Sequence, residues 1–374
     1  VTSISVTRGA PDADISAHWD DLVARAQANV FMNPDALDAA QAPGLPRIHV
    51  LLAWTDDAGH KRLAGIWAFR ERRPARLLPR TLFIPPYDYA FVSSPVIDAQ
   101  LMDEVMCALL DAIERDPALP KVFRAKYLDG DSPTHAALLK ALAARGSSAL
   151  TIAERPRPYA SRESGLKPSG STRKKLRQDG NRLAALGAVD VVNERELAAV
   201  REAFEVFLAM EAEGWKGAQG TALLSVEADA VFARRLIGNL AARRNASVAL
   251  LRLDGRPIAA QVLLYSGDTA YTWKTAFDSR YGKYSPGMLL IEKMTQLLFA
   301  MNGIEAVESC SPDGSFMSQL WLGIRPTLDI LVDVRSRRSF AFRMAALEAR
   351  AYEAMRHARN RLRAFVLDRR AAPR

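Results

Sequence analysis

The residues best placed to do chemistry lie in the run R-Y-G-K-Y-S-P-G, Arg280 to Gly287, which opens onto an apolar helix starting at Met288. Ser285 suits a helix N-cap, Pro286 suits the first turn, and Gly287 lets other atoms approach the backbone. Free N–H groups at such a helix start, flanked by Arg280, Gly282 and Lys283, make a cradle for an anion over Ser285 to Met288. Gly282 and Gly287 have P-loop spacing, but Met288-Leu289 stands where Lys-Ser/Thr is required. The dinucleotide fingerprint G-x-G-x-x-G is also missing at this loop, so nucleotide hydrolysis of the P-loop type is disfavoured.

Other chemistries fare worse. The five histidines, at 18, 49, 60, 135 and 357, show no paired ligand spacing, and no metal site is expected. A G-x-S-x-G nucleophile elbow is absent, which argues against a serine hydrolase. Cys310 has no histidine near it in sequence and reads as a small buried hydrophobe. With Cys107 it makes only two cysteines, which fits a reducing compartment.

The elements that must position the loop follow from patterning. The turns Asp254-Gly255 and Ser266-Gly267-Asp268 separate three strands, Ser247 to Leu253, Pro257 to Tyr265 and Thr269 to Phe277. The third empties into the cradle loop, and strand Ile304 to Ser309 follows the helix. Upstream lie helix Thr172 to Leu186, strand Val189 to Val192, and helices Glu194 to Glu213 and Glu227 to Ala242. Strand Thr327 to Val334 and helix Ser339 to Leu367 end the chain.

The first part repeats the order. Strand Ile4 to Thr7 and a helix around Ile15 to Ala26 precede a hairpin, Ile48 to Trp54 and Leu63 to Phe69. Short strands Thr81 to Ile84 and Tyr89 to Val92, helix Leu101 to Arg115, strand Val122 to Leu128, helix Thr134 to Arg145 and strand Ser148 to Ala153 follow. This predicts an internal duplication: a half over 1–153, a connector over 154–170 rich in Pro, Gly, Ser and Arg, and a second half over 171–374. The first copy has S-S-P-V-I-D, Ser93 to Asp98, in place of the glycine loop, and is expected to lack a cofactor site.

Length and composition agree. A chain of 374 residues, 49% hydrophobic and 25% charged, is globular and long enough for two domains. No apolar run reaches the ~18 residues of a membrane span, and the first residues lack a signal-peptide pattern, so a cytoplasmic place is expected. The net charge of +9 points to anionic partners.

Several segments together resemble the CelD-like (cellulose-biosynthesis-type) GNAT acetyltransferases, relatives of the tandem-GNAT FemAB-like transferases. They are S-G-S-T-R-K-K-L-R (Ser169 to Arg177), R-L-A-A-L-G (Arg182 to Gly187), G-W-K-G (Gly214 to Gly217), Y-T-W-K-T-A-F-D (Tyr271 to Asp278) and Y-S-P-G-M-L-L (Tyr284 to Leu290). The resemblance implies an α/β (α+β) fold of two tandem GNAT-like halves with mixed, mostly antiparallel sheets. It implies transfer of an acyl group from acetyl-CoA or another acyl-CoA to an amine or hydroxyl on a sugar, lipid or small molecule. The cradle would then hold the CoA pyrophosphate. The departure from the general GNAT loop is the longer spacing from Gly282 to Gly287.

Such chemistry needs a proton acceptor and an oxyanion site. Glu308, at the end of the strand after the cradle helix, is the first choice of base; Asp278 and Asp313 follow. Residues Ser315 to Trp321, where relatives often carry an acidic tyrosine, hold none, which leaves Tyr284 or solvent to protonate the thiolate. Trp215, Lys216, Lys274 and Asp313 are candidates for the acceptor pocket; strand alternation should turn one of Trp273 and Lys274 inward.

The last helix carries Phe340, Met344, Leu347, Ala351, Met355, Leu362 and Phe365 on one side and arginines elsewhere. It packs on the domain or lies on an anionic membrane, which would place the protein at the periphery of the inner membrane. The alternative function is a FemAB-like aminoacyl-tRNA-dependent transferase or a non-catalytic RNA- or anion-binding protein, with helix Thr172 to Leu186 gripping phosphates.

Overall fold

The computed structural model describes residues 3–9, 13–57, 60–73, 75, 78–311 and 314–371. Asp313, one of the acceptor-pocket candidates, lies outside them.

The first part of the chain contributes strands β1 (Ser3–Gly9), β2 (Ile48–Asp57), β3 (His60–Arg72), β4 (Thr81–Ile84), β5 (Val96–Ile97), β6 (Val122–Asp129) and β7 (Ser148–Ser161). Its helices are α1 (Ala13–Val23), α2 (Pro34–Ala39), α3 (Met102–Arg115) and α4 (Pro133–Arg145). The second part gives α5 (Ser171–Ala184), β8 (Val189–Glu194), α6 (Leu197–Glu213), α7 (Trp215–Ala218), α8 (Glu227–Ala242), β9 (Ala246–Leu253), β10 (Arg256–Ser266) and β11 (Thr269–Phe277). After it come α9 (Pro286–Ala300), β12 (Ala306–Glu308), α10 (Met317–Leu320), β13 (Gly323–Asp333) and α11 (Phe340–Ala371).

All thirteen strands form one sheet in the order β1-β2-β3-β4-β6-β13-β7-β12-β11-β10-β9-β8, with β5 against β3. Read inward from either edge the pairing is the same: three antiparallel contacts, one parallel, one antiparallel. The duplication is therefore plain in topology. The closing strands are exchanged: β13 of the second half pairs with β6 of the first, and β7 of the first pairs with β12 of the second. These two strands meet at the centre in antiparallel register from Gly323↔Tyr159 to Asp333↔Ser148.

Two expectations change. Residues 154–161, read as connector, extend β7. Pro156 and Pro158 lack ladder N–H groups, yet the strand continues in register with Pro326 and Ile324. Tyr89 to Val92 is not a strand but a loop whose carbonyls are taken by distant side chains. Trp273 Nε1 donates to Tyr89 O at 2.9 Å, the Arg157 guanidinium donates to Phe91 O, and Asn29 Nδ2 donates to Val92 O at 3.4 Å. Those partners come from both halves, and no local pattern announces them.

The largest apolar cluster joins α1–α4 of the first half to α6 and α8 of the second. A second cluster seats α5, α9 and α10 on the sheet around Leu263, Leu290 and Trp321. Val122 and Leu331 of the sheet meet Phe342 and Ala346 of α11 in a third, smaller one.

Candidate functional site

Strands β11 and β12 pair only at Thr269↔Ala306, Ala270↔Val307 and Tyr271↔Glu308. Beyond that point they part, while β11 continues to Phe277. On the other side, β10 stays paired, but the register slips: Leu263 faces Thr272 and Val262 faces Lys274, so Trp273 is an extra, bulged residue. Among the described residues no strand pairs with the β12-side edge of β11 after Tyr271. The sheet thus holds an internal notch, lined by strand backbone, with the start of α9 at its mouth.

The mouth is built from the cradle loop. Asp278 caps the short turn Ser279–Tyr284 by accepting from Arg280 N at 3.0 Å. Its carboxylate also takes the Arg280 fork, with Nε and Nη2 donating at 2.9 and 2.6 Å, and this hydrogen-bonded partner lowers its pKa below the usual carboxylate value. Asp278 and Arg280 are consequently tied to each other. Ser285 stands at the N-cap position but with φ 52°, and makes no side-chain cap. Its hydroxyl instead donates to buried Asp179 of α5 at 2.9 Å, while its carbonyl accepts from Met288 N at 3.0 Å and Leu289 N at 3.1 Å. Gly282 O accepts from Ser285 N. A Cβ on Gly287 would only touch Phe277 at 3.4 Å and Thr275 at 3.7 Å, so the protein's own packing does not demand glycine there. Exposed Lys283 has its ammonium 5.0 Å from the Tyr284 ring centre, and Arg182 approaches the same ring at 5.4 Å. Tyr284 itself is buried.

Beside this mouth, α5 and α9 enclose a groove of about 810 Å³ that carries Lys174, Arg177 and Lys293 over an apolar floor including Val191 and Leu251. Arg173 in its wall is paired with Glu292.

Bulging at Trp273 sends two successive side chains the same way, which strand alternation did not anticipate. Trp273 donates to Tyr89 O, and the Lys274 ammonium sits 4.8 Å from the Tyr89 ring centre. Lys274 reaches Glu211 Oε1 at 3.4 Å and Lys216 reaches the same oxygen at 2.8 Å. Leu223 N donates to the other oxygen at 2.9 Å. Burial pushes the Glu211 carboxyl up, but Lys274, Lys216 and that N–H outweigh it, and its pKa ends below the usual value. Burial lowers the Lys274 ammonium, which Glu211 opposes. Tyr89, a residue of the first half, donates to Asp229 Oδ2 at 2.5 Å; burial, then Asp229, raise its phenol. Lys216 and Lys274 are therefore brought together, whereas Trp215 is 59% exposed. Glu211, Tyr89 and Asp229 escaped the sequence reading, since each looks like an ordinary helix or loop residue.

Glu308 lies at the root of the notch and is 2% exposed. Its Oε1 accepts from Arg157 Nη1 at 3.3 Å and from Cys310 N at 3.2 Å, and Arg325 stands 3.9 Å from Oε2. Glu308, Arg157 and Arg325 wall a cavity of about 420 Å³ between the halves, with Tyr127, Asp129 and Tyr271. Arg325 pairs with Asp129 at 3.0 Å and lies 4.0 Å over the Tyr159 ring. Burial raises the Asp129 carboxyl, and Arg325 only partly offsets it. Burial, then Glu308, also raise the Cys310 thiol well above its ordinary value, which leaves it a poor nucleophile. Asp129, Arg157 and Arg325 come from three distant strands, and the exchange of β7 and β13 is what gathers them. Among the described residues no group of three or more His, Cys, Asp or Glu could hold a metal.

Residues 170–313, which carry most of the notch, match the family model described as an acetyltransferase (GNAT) domain. No curated protein sequence matches the chain. The fold is similar to FemX (TM-score 0.57, 11% identity, covering 86% of this chain and 96% of that one). It is similar to the C-terminal DUF2156 domain assigned to a lysylphosphatidylglycerol synthetase from Agrobacterium fabrum (0.54, 17%, 90% and 96%). It is also similar to L-PGS from Bacillus licheniformis (0.53, 10%, 91% and 97%). Residues 170–313 thus match a GNAT acetyltransferase domain within a mixed α/β fold of two like halves, which supports an enzyme of the N-acyltransferase type.

Proposed function

We propose that the protein transfers an acyl group from an acyl-CoA, such as acetyl-CoA, to an amine or hydroxyl of a small-molecule, glycan or lipid acceptor. The observation that carries this reading is the unpaired edge of β11 after Tyr271, running to the start of α9. Backbone donors and acceptors inside a sheet need partners, and an extended amide-bearing arm such as pantetheine supplies them. Its pyrophosphate would lie at the first turn of α9, beside Gly287 and Met288, with Lys283 near. The cations of the α5–α9 groove continue that path. The acceptor nucleophile would enter from the central cavity and attack the thioester carbon. Its proton would pass to Glu308, the carbonyl oxygen would be held by strand N–H groups, and the thiolate would leave and be protonated by solvent or Tyr284. The CelD-like motifs agree with this reading.

Calorimetry with CoA tests it. Wild type should bind, and Gly287→Leu, which projects a side chain toward Phe277 and Thr275, should weaken binding by roughly tenfold or more. Arg280→Ala should weaken it less, because that guanidinium is already taken by Asp278. Absence of CoA binding at millimolar concentration would overturn the reading.

One observation favours a second donor: the basic groove along α5, next to the same notch, in a fold shared with FemX. An aminoacyl-tRNA would make it a phosphate track, and binding of RNA would then fall steeply with salt.

A further inference from the structure

The first half contains its own notch. Strands β4 and β6 run parallel at Leu82↔Phe123, Phe83↔Arg124 and Ile84↔Ala125, then separate. Arg70 of β3, Phe83 of β4 and Arg124 of β6 stand in one row across the sheet, since Arg70 pairs with Phe83 and Phe83 with Arg124. Arg72 and Lys126 lie two residues along their strands, on the same face. Four cations thus occupy a face of interior strands where apolar side chains would normally sit. They surround a cavity of about 250 Å³, closed on one side by Tyr352 of α11.

Three of the four have a carboxylate each. Arg124 forks buried Asp329 at 2.9 and 2.6 Å, Arg72 reaches Glu348 at 3.0 Å, and Arg70 reaches Asp88 at 2.5 Å. Asp88, on the loop after β4, has its side chain 73% accessible, so another anion can replace it with little loss. Lys126 has no ion-pair partner among the described residues. Its ammonium lies 5.6 Å from the Phe83 ring centre and 5.4 Å from that of Tyr352. Burial and the neighbouring Arg124 lower its pKa. A part-buried ammonium beside guanidinium groups is costly unless an anion joins it.

Tyr127, held at φ 60°, lines both this cavity and the central one that contains Glu308. We infer that the cavity is an anion site which anchors the carboxylate or phosphate of the acceptor, whose nucleophile then lies across Tyr127 in the central cavity. The ring faces of Phe83 and Tyr352 suit an apolar or planar body next to the acid group. The anion site stands on the cavity itself; its assignment to the acceptor rests on the acyl-transfer reading.

Calorimetry and thermal shift with inorganic phosphate and with benzoate, at matched ionic strength and saturating CoA, test the site. Wild type should bind at least one of them in the millimolar range, and the stronger of the two names the acid group. Lys126→Met keeps the stem and removes the charge, so affinity should fall by roughly tenfold or more while the unliganded melting temperature does not drop. Lys140→Met, on the exposed face of α4 and paired with Asp103, should leave it unchanged. No binding of either probe, or binding indifferent to Lys126→Met, overturns the site. Phosphate binding at Lys126 in a protein that fails to bind CoA would keep the anion site and remove its link to acyl transfer.

Discussion

Glu308 is held by an arginine and a backbone N–H, with a second arginine close by. Such a carboxylate is well aimed, and proton transfer in a transition state rewards position as well as strength. Glu308→Gln keeps volume and hydrogen bonding, and turnover should fall by about 10²–10⁴-fold while CoA affinity holds. Normal turnover between about pH 6 and 9 would make Glu308 structural and pass the role to Asp129, Asp278 or water. Glu308→Ala is the wrong test, because it also removes the oxygen that accepts from buried Arg157 and from Cys310 N. Glu211 makes a cleaner stability probe. Its folded pKa is lowered, so its stabilising effect is present above the ordinary glutamate value and is lost as pH falls through the folded value. In Glu211→Gln, Lys274 and Lys216 face each other without a counter-charge, which should cost about 3–5 kcal/mol at neutral pH. Equal melting temperatures for wild type and variant at pH 7 would show the cluster to be slack.

At the level of elements, the hairpins, the cradle helix and its loop were legible because turn dipeptides and apolar periods are local signals. The notch was not. It arises from a one-residue slip between β10 and β11 and from a β12 of three residues, neither of which alters the apolar pattern. Likewise Ser285 has the right chemistry for an N-cap, yet a buried carboxylate on α5 captures its hydroxyl. Helix α11 divides cleanly: Phe342, Ala346, Ala349 and Glu353 face the sheet, while Phe340, Leu347 and Met355 are 63–73% exposed among Arg343 and Arg350. No helix is long and apolar enough to cross a membrane. An exposed face mixing large apolar groups with arginine fits the surface of an anionic bilayer. We therefore expect co-sedimentation with vesicles containing phosphatidylglycerol but not with pure phosphatidylcholine, and loss of binding in a Phe340→Ser, Leu347→Ser, Met355→Ser triple variant. Equal binding of that variant would rule out this face.

For the whole molecule, the decisive feature is the exchange of β7 and β13. Sequence order alone divides the chain near residue 160, and that division is natural for two domains in tandem. The sheet cuts across it. β7 is bonded along one edge to β13 and along the other to β12, and Arg124 of the first half forms its buried fork with Asp329 of the second. The central cavity exists only where the exchanged strands meet, so Glu308 of one half is paired with Arg157 of the other. Residues from strands so far apart in sequence carry no shared local signature, which is why Asp129, Arg157 and Arg325 could not be read beforehand. The same geometry makes a prediction about folding. A fragment 1–153 lacks β13 beside β6 and keeps Arg124 without Asp329; a fragment 171–374 lacks β7 beside β12 and β13. Each should aggregate or remain unfolded alone, with interior strand edges and a buried charge uncovered. Mixed during refolding, 1–161 and 162–374 should instead reassemble, since this cut leaves β7 whole. Circular dichroism and size exclusion of the separate and mixed fragments decide the matter. A cooperatively unfolding, monomeric 171–374 with native CoA affinity would show that the second half stands by itself and that the exchange is dispensable.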